Sequence, residues 1–202
     1  MRKYFIIFLF LLTPLFVFAQ SGEKKNRGFR VTPRNTEELR QVMNLREEGF
    51  QKELAGMEGE RLFAYSNQNK MRAAAQNMTI MENMIGDGGI DVSDLALEIN
   101  KSVEKTLDLE ERFLKRGGIK KFFFGQKKDE INDFSTEISN REEKISKIRS
   151  IYEKCECSED VRDIFGEELA NMENEQNRLK DFFEKETKHK GVLSWFASIF
   201  DK

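Results

Sequence analysis

The chain has 202 residues, of which 39% are hydrophobic and 35% charged, with 34 Lys and Arg against 36 Asp and Glu. Two cysteines are too few to staple a small disulfide fold, and a single histidine cannot supply a His-based metal cage. Prolines occur only at Pro14 and Pro33, so everything after residue 33 is proline-free, which favours long helices over a sandwich of short strands.

Met1-Arg2-Lys3 is a short basic start, and residues 4–19 (YFIIFLFLLTPLFVFA) are apolar apart from Thr13 and Pro14. Val17 and Ala19 precede Gln20 at the two positions where a secretory signal peptide carries small residues. The run falls short of the roughly 20 residues that span a bilayer, and Pro14 interrupts it. Cleavage near Ala19/Gln20 is therefore expected, with an uncleaved membrane anchor as the alternative. No cysteine follows the cut to carry a lipid. Removing 1–19 takes away Arg2 and Lys3 and no acid, so the exported chain is slightly acidic and offers no electrostatic case for nucleic acid. The expected location is extracytoplasmic: secreted, periplasmic or at the cell surface.

Residues 20–35 (QSGEKKNRGFRVTPRN) read as a flexible leader. Asn35 or Thr36 can cap a helix with Glu37 and Glu38 in its first turn. No strong stop follows until Gly86-Asp87-Gly88-Gly89, which predicts one very long first helix over about 36–85, roughly 75 Å at 1.5 Å per residue. A second helix is expected over about 91–116, then a Gly/Lys/Phe connector at 117–127. A third follows at about 128–155, a fourth at about 158–189 and an amphipathic aromatic tail at 191–202. No segment shows a strand period. The expected fold is all-α: an elongated, coiled-coil-like bundle of two antiparallel helical hairpins, 36–116 and 128–190.

The apolar seams suggest registers. Ile131, Phe134, Ile138, Arg141, Ile145, Ile148, Tyr152 and Cys155 alternate spacings of three and four, as do Phe165, Leu169, Met172, Gln176, Leu179 and Phe183. Aligning these antiparallel sets Phe134 against Phe183, Ile138 against Leu179 and Tyr152 against Phe165. It also sets the one polar member of each seam, Arg141 and Gln176, opposite one another, as a pin against slipped registers. A weaker match sets Ile85 against Val92, Met78 against Ile99 and Ala64 against Phe113. The first half of helix 36–85 outruns its partner, is half polar and carries Gly49, Gly56 and Gly59. It is expected to need a second copy or the tail to cover it.

Two segments are rich in aromatics. The connector carries Phe122, Phe123 and Phe124 flanked by Lys120, Lys121, Lys127 and Lys128; the tail carries Trp195, Phe196 and Phe200. They are expected at the same bundle end, either as a hydrophobic plug or as a docking surface for a protein or a membrane, where basic groups meet lipid phosphate. Met78, Met81 and Met84 form an M-x-x-M-x-x-M run, whose thioethers suit Cu(I), although Met also fills helix cores. Cys155 and Cys157 flank the turn between the last two helices. A local disulfide, bridges between chains, and free thiols or a soft-metal site are all open. His189 sits between lysines, and no nucleophile elbow or phosphate loop accompanies it, so no catalytic residue and no cofactor is named.

NTEELRQ (35–41), the C-E-C turn, NMENEQNRL (171–179) and KGVLSWFASIF (190–200) together resemble a group of uncharacterised archaeal secreted helical proteins with a Trp-containing C-terminal tail. The resemblance implies an exported coiled-coil fold and carries no activity or functional residue. The expected function is a non-catalytic helical scaffold or binding module of the cell surface or envelope. Its partner would be a protein, another copy or a membrane surface, reached through the aromatic-basic end. The alternative is an extracytoplasmic Cu(I)-handling protein using Met78, Met81, Met84, Cys155 and Cys157.

Overall fold

The computed structural model describes residues 32–115 and 128–187. The proposed signal peptide, most of the leader, the connector 117–127 and the tail 191–202 lie outside them. Among the described residues the protein is all-helical: α1 (Thr36–Ala55), α2 (Gly59–Ile80), the single-turn α3 (Glu82–Ile85), α4 (Gly89–Lys115), α5 (Lys128–Lys154) and α6 (Glu159–Thr187). None of these helices is long and apolar enough to cross a membrane.

The span 36–85 is not one helix. Asn35 starts α1 as expected, its side chain accepting from the Glu38 N–H at 2.9 Å. The helix then stops at Gly56, and α2 begins at Gly59, whose φ of 61° lies in the left-handed region that favours glycine. Across this turn the chain reverses. Arg46 donates to the Gln76 carbonyl and to Asn77 Oδ1, and Glu53 pairs with Arg72 at 2.9 Å. The Arg72 guanidinium also lies 4.7 Å from the centre of the Phe50 ring. Partners that climb on α2 as they descend on α1 define an antiparallel pair. The half of the span expected to lack a partner is thus covered by α2 itself, because folding back takes Leu39 and Phe50 out of water. A second, smaller interruption at Met81 separates α2 from α3, where the Met81 N–H bonds to Met78 O, three residues back, at 3.2 Å.

The other four long helices close into an antiparallel ring, each packed on two neighbours in the order α2, α4, α5, α6. Three ion pairs one heptad apart, Glu98–Lys144, Lys105–Glu137 and Arg112–Glu130, run along the α4–α5 seam. Between α5 and α6, Phe134 and Phe183 meet edge-on at 5.4 Å and Tyr152 and Phe165 at 5.3 Å, two of the expected rungs. Between α2 and α4 the amides of Asn67 and Gln68 reach Glu110. Asn77 links α2 to α6 through Glu168 at 2.8 Å. The two halves of the chain therefore share one interior. Its larger apolar cluster draws on α1 to α6, from Leu39 and Met71 to Leu169 and Met172, and a smaller one holds Leu109, Phe113, Phe134, Ile138, Leu179 and Phe183.

Glycines close the end of the bundle near α3. A Cβ on Gly89 would run into the Glu82 carbonyl, and one on Gly88 into the Ile151 side chain. Gly49, in the middle of α1, faces open space. Gly89→Ala should therefore cost about 2 kcal/mol or more, because backbone must move. Gly49→Ala should instead stabilise by up to about 1 kcal/mol through helix propensity. Urea unfolding midpoints followed by circular dichroism separate the two; equal effects would show that the α3–α4 turn is not packed this tightly.

Candidate functional site

Between the two apolar clusters, each of the four ring helices contributes a polar side chain to the interior. Gln68, Thr106, Glu110, Arg141 and Gln176 are each no more than 3% exposed. The first four of them are bonded in a chain that crosses the bundle. Arg141 Nη2 donates to the Thr106 hydroxyl at 2.6 Å, and that hydroxyl donates to Gln68 Oε1 at 2.8 Å. Gln68 Nε2 donates to Glu110 Oε2 at 2.6 Å. Arg178 Nη1 and Nη2 reach the two Glu110 oxygens at 3.1 and 3.3 Å, and Asn67 Nδ2 reaches Oε1 at 3.0 Å. The fully buried carboxylate thus accepts four bonds from α2 and α6 while standing on α4.

Arg141 and Gln176 are buried as expected, but their bonds go elsewhere than to each other. Arg141 turns to α4, where Ser102 Oγ at 3.3 Å joins Thr106 as acceptor, and Gln176 donates to the Ile138 carbonyl at 2.7 Å. The reason is ring closure: a two-helix seam offers Arg141 only α6, whereas the ring brings the hydroxyls of a third helix alongside. Glu110, Gln68 and Arg178 went unnoticed at the level of sequence because each reads as one more helix-surface polar residue. The only available signal was the interruption of the α2 seam by polar residues level with Arg141.

Burial depresses the Arg141 pKa to about 10, against the opposing pull of Glu137 and Glu110. Glu137 is also penalised by burial, yet hydrogen bonds from Lys105 and Ser102 and the charges of Lys105 and Arg141 hold it below the usual carboxylate range. For Arg178, burial pulls down but the attraction and bonds of Glu110 and Glu175 win, raising it. Every charge in the layer so has a counter-charge or a hydroxyl facing it. Chemically it suits holding helices in place, with Glu110 and Arg141 buried while Arg178 and Lys105 keep part of their side chains in solvent.

The residues expected to make partner contacts, Phe122, Phe123, Phe124, Trp195, Phe196 and Phe200, lie outside the described residues. The structure does place the points from which their segments leave. The ends of α4, α5 and α6 are drawn together by four phenylalanines: Phe113 lies 5.3 Å from Phe134 and 6.4 Å from Phe182, and Phe134 lies 5.4 Å from Phe183. Phe63, in the first turns of α2, is 55% exposed. At the opposite end Cys155 and Cys157 are joined by a disulfide, with Cys155 Sγ 3.5 Å from the Ile85 carbonyl. Met78 and Met81 are fully buried and Met84 packs against the same core. In this arrangement the thioethers serve packing and the two sulfurs of the turn are bonded to each other. Among the described residues no group of three or more His, Cys, Asp or Glu side chains is arranged to hold a metal ion.

Two expectations test the polar interior. Glu110→Leu strands Arg178, Gln68 and Asn67 and should cost about 3 kcal/mol or more, whereas Arg141→Met, which replaces a desolvated cation by an apolar chain of similar length, should cost less than about 1 kcal/mol. Comparable losses in urea unfolding would show that Glu110 holds the layer no more than Arg141 does. Glu168, 4% exposed, is raised above the usual 4.5 by burial, which outweighs the bonds from Asn77 and Asn171. Its folded form holds a proton more tightly than the unfolded chain. The charge therefore destabilises the fold above the raised pKa, and that penalty fades as pH falls towards 4.5. Glu168→Gln, which keeps an acceptor for Asn77, should stabilise by about 1 kcal/mol at pH 7 and flatten the slope of stability through mild acid. An unchanged slope would refute the assignment.

Comparison with protein-family models, with curated proteins and with solved structures finds no match for the chain.

Proposed function

We infer that this protein is a non-catalytic exported scaffold or binding module of the cell surface or envelope, docking through the bundle end at which α4, α5 and α6 terminate. One observation carries this reading: the ring cluster of Phe113, Phe134, Phe182 and Phe183 gathers the three helix ends from which residues 116–127 and 188–202 depart. Those two stretches hold Phe122 to Phe124, Trp195, Phe196 and Phe200 together with Lys120, Lys121 and Lys127. Apolar rings beside cations match the requirements of an anionic membrane interface or of a protein partner with an acidic rim. Export is supported by the signal-like pattern of residues 1–19 and by the Cys155–Cys157 disulfide, which belongs to an oxidising compartment.

Trp195 is the single tryptophan and reports directly on this end. With the chain from Gln20 onward, its emission should shift to the blue on adding vesicles that contain anionic lipid. Replacing Lys120 and Lys121 by Gln should weaken the titration. An unchanged emission maximum with both anionic and zwitterionic vesicles would remove the membrane as partner.

A further inference from the structure

The seam of the first two helices ignores the break between them. Met43, Phe50, Met57, Ala64, Met71 and Met78 recur every seven residues straight through the turn, a spacing that one unbroken helix places along one side. The chain nonetheless reverses at 56–58, and α1 lies back along α2. We propose that residues 36–55 form an exchangeable arm: the turn straightens into a continuous α1–α2 helix, and the arm of each copy packs on α2 of a second copy.

The partner is a second copy because only that surface repeats what the arm gives up. Arg46 bonding to Asn77, Glu53 pairing with Arg72, and Phe50 beneath the Arg72 guanidinium are contacts between two elements, and each re-forms unchanged between chains. An arm opened alone would expose Leu39, fully buried in the closed form, and Phe50, 6% exposed. The hinge itself is three residues between helices, Gly56 to Glu58, with Gly59 opening the next helix. The φ of 61° at Gly59 is needed only for the reversal and disappears in a straight helix. Short turns of this kind are where exchange between protomers starts.

Gly59→Ala isolates the hinge. A Cβ there meets nothing within 4 Å, so the substitution acts on backbone preference alone, disfavouring the closed turn and favouring the straight helix. A shift of about tenfold at each of two hinges should lower the dimer dissociation constant by about 100-fold. Light scattering over a concentration series of the chain from Gln20 onward reads this out. Gly49→Ala, which strengthens α1 away from the hinge, should leave association unchanged.

Placement is read by mixing a Glu53→Cys chain with a differently mass-tagged Arg72→Cys chain and adding a short bismaleimide. A product joining positions 53 and 72 of different copies is expected, abundant with Gly59→Ala and present at high concentration with the native hinge. Because the native hinge is included, the outcome does not depend on how well the variant folds. A Gly59→Ala chain that folds to native helicity and stays monomeric throughout, or native-hinge mixtures yielding no such product, would overturn the exchange.

Discussion

The carboxylate of Glu110 sits where a slip of any neighbouring helix would be most costly. It is fully buried on α4 and takes its bonds from Asn67 and Gln68 on α2 and from Arg178 on α6. Sliding α2 or α6 by one turn, about 5.4 Å, would leave a charge in the interior with its donors out of reach. The apolar layers on either side have no such selectivity, since Met, Ala, Leu and Ile can trade neighbours at modest expense. Arg141 extends the constraint to α5 through Thr106 and Ser102. One polar layer thereby fixes the relative height of four helices, and with it which helix ends coincide.

That height makes the two ends of the bundle different in kind. At one end the glycine-rich α3–α4 turn, Ile151 and the disulfide-bridged α5–α6 turn pack closely enough that single Cβ atoms would not fit. At the other, aromatic rings gather three helix ends, and the chain continues from each of them through a stretch rich in phenylalanine, tryptophan or lysine. Among the described residues the bundle thus has one end closed by glycines and a disulfide and another lined by aromatic rings, a difference that the docking role proposed above requires.

What could be read from the sequence follows from what periodicity measures. Spacings of three and four identify which residues of one helix turn inward, so Phe134 and Phe183, or Tyr152 and Phe165, are legible in the sequence as opposite numbers. The same pattern is blind to a third neighbour. Two seams alone pair Arg141 with Gln176, whereas its acceptors stand on α4. It is equally blind to backbone sign. Nothing in the heptad running through Met57 registers that Gly59 has turned to positive φ. The disulfide was one of three open options at the C-E-C turn, and only the geometry of that turn selects among them.

The conflict at residues 56–59 is informative in its own right. Local signals that agree with the global fold are the rule in sequences that specify one structure, and disagreement concentrates where a second arrangement has a use. A chain meant only to fold back would gain by breaking its heptad at the turn. A chain meant only to stay straight would gain by replacing Gly56 and Gly59 with better helix formers. Keeping both features fits the exchange proposed above, in which the closed hairpin and the extended helix each bury Leu39 and Phe50. The seam and the hinge are then compatible parts of one element whose partner is set by concentration.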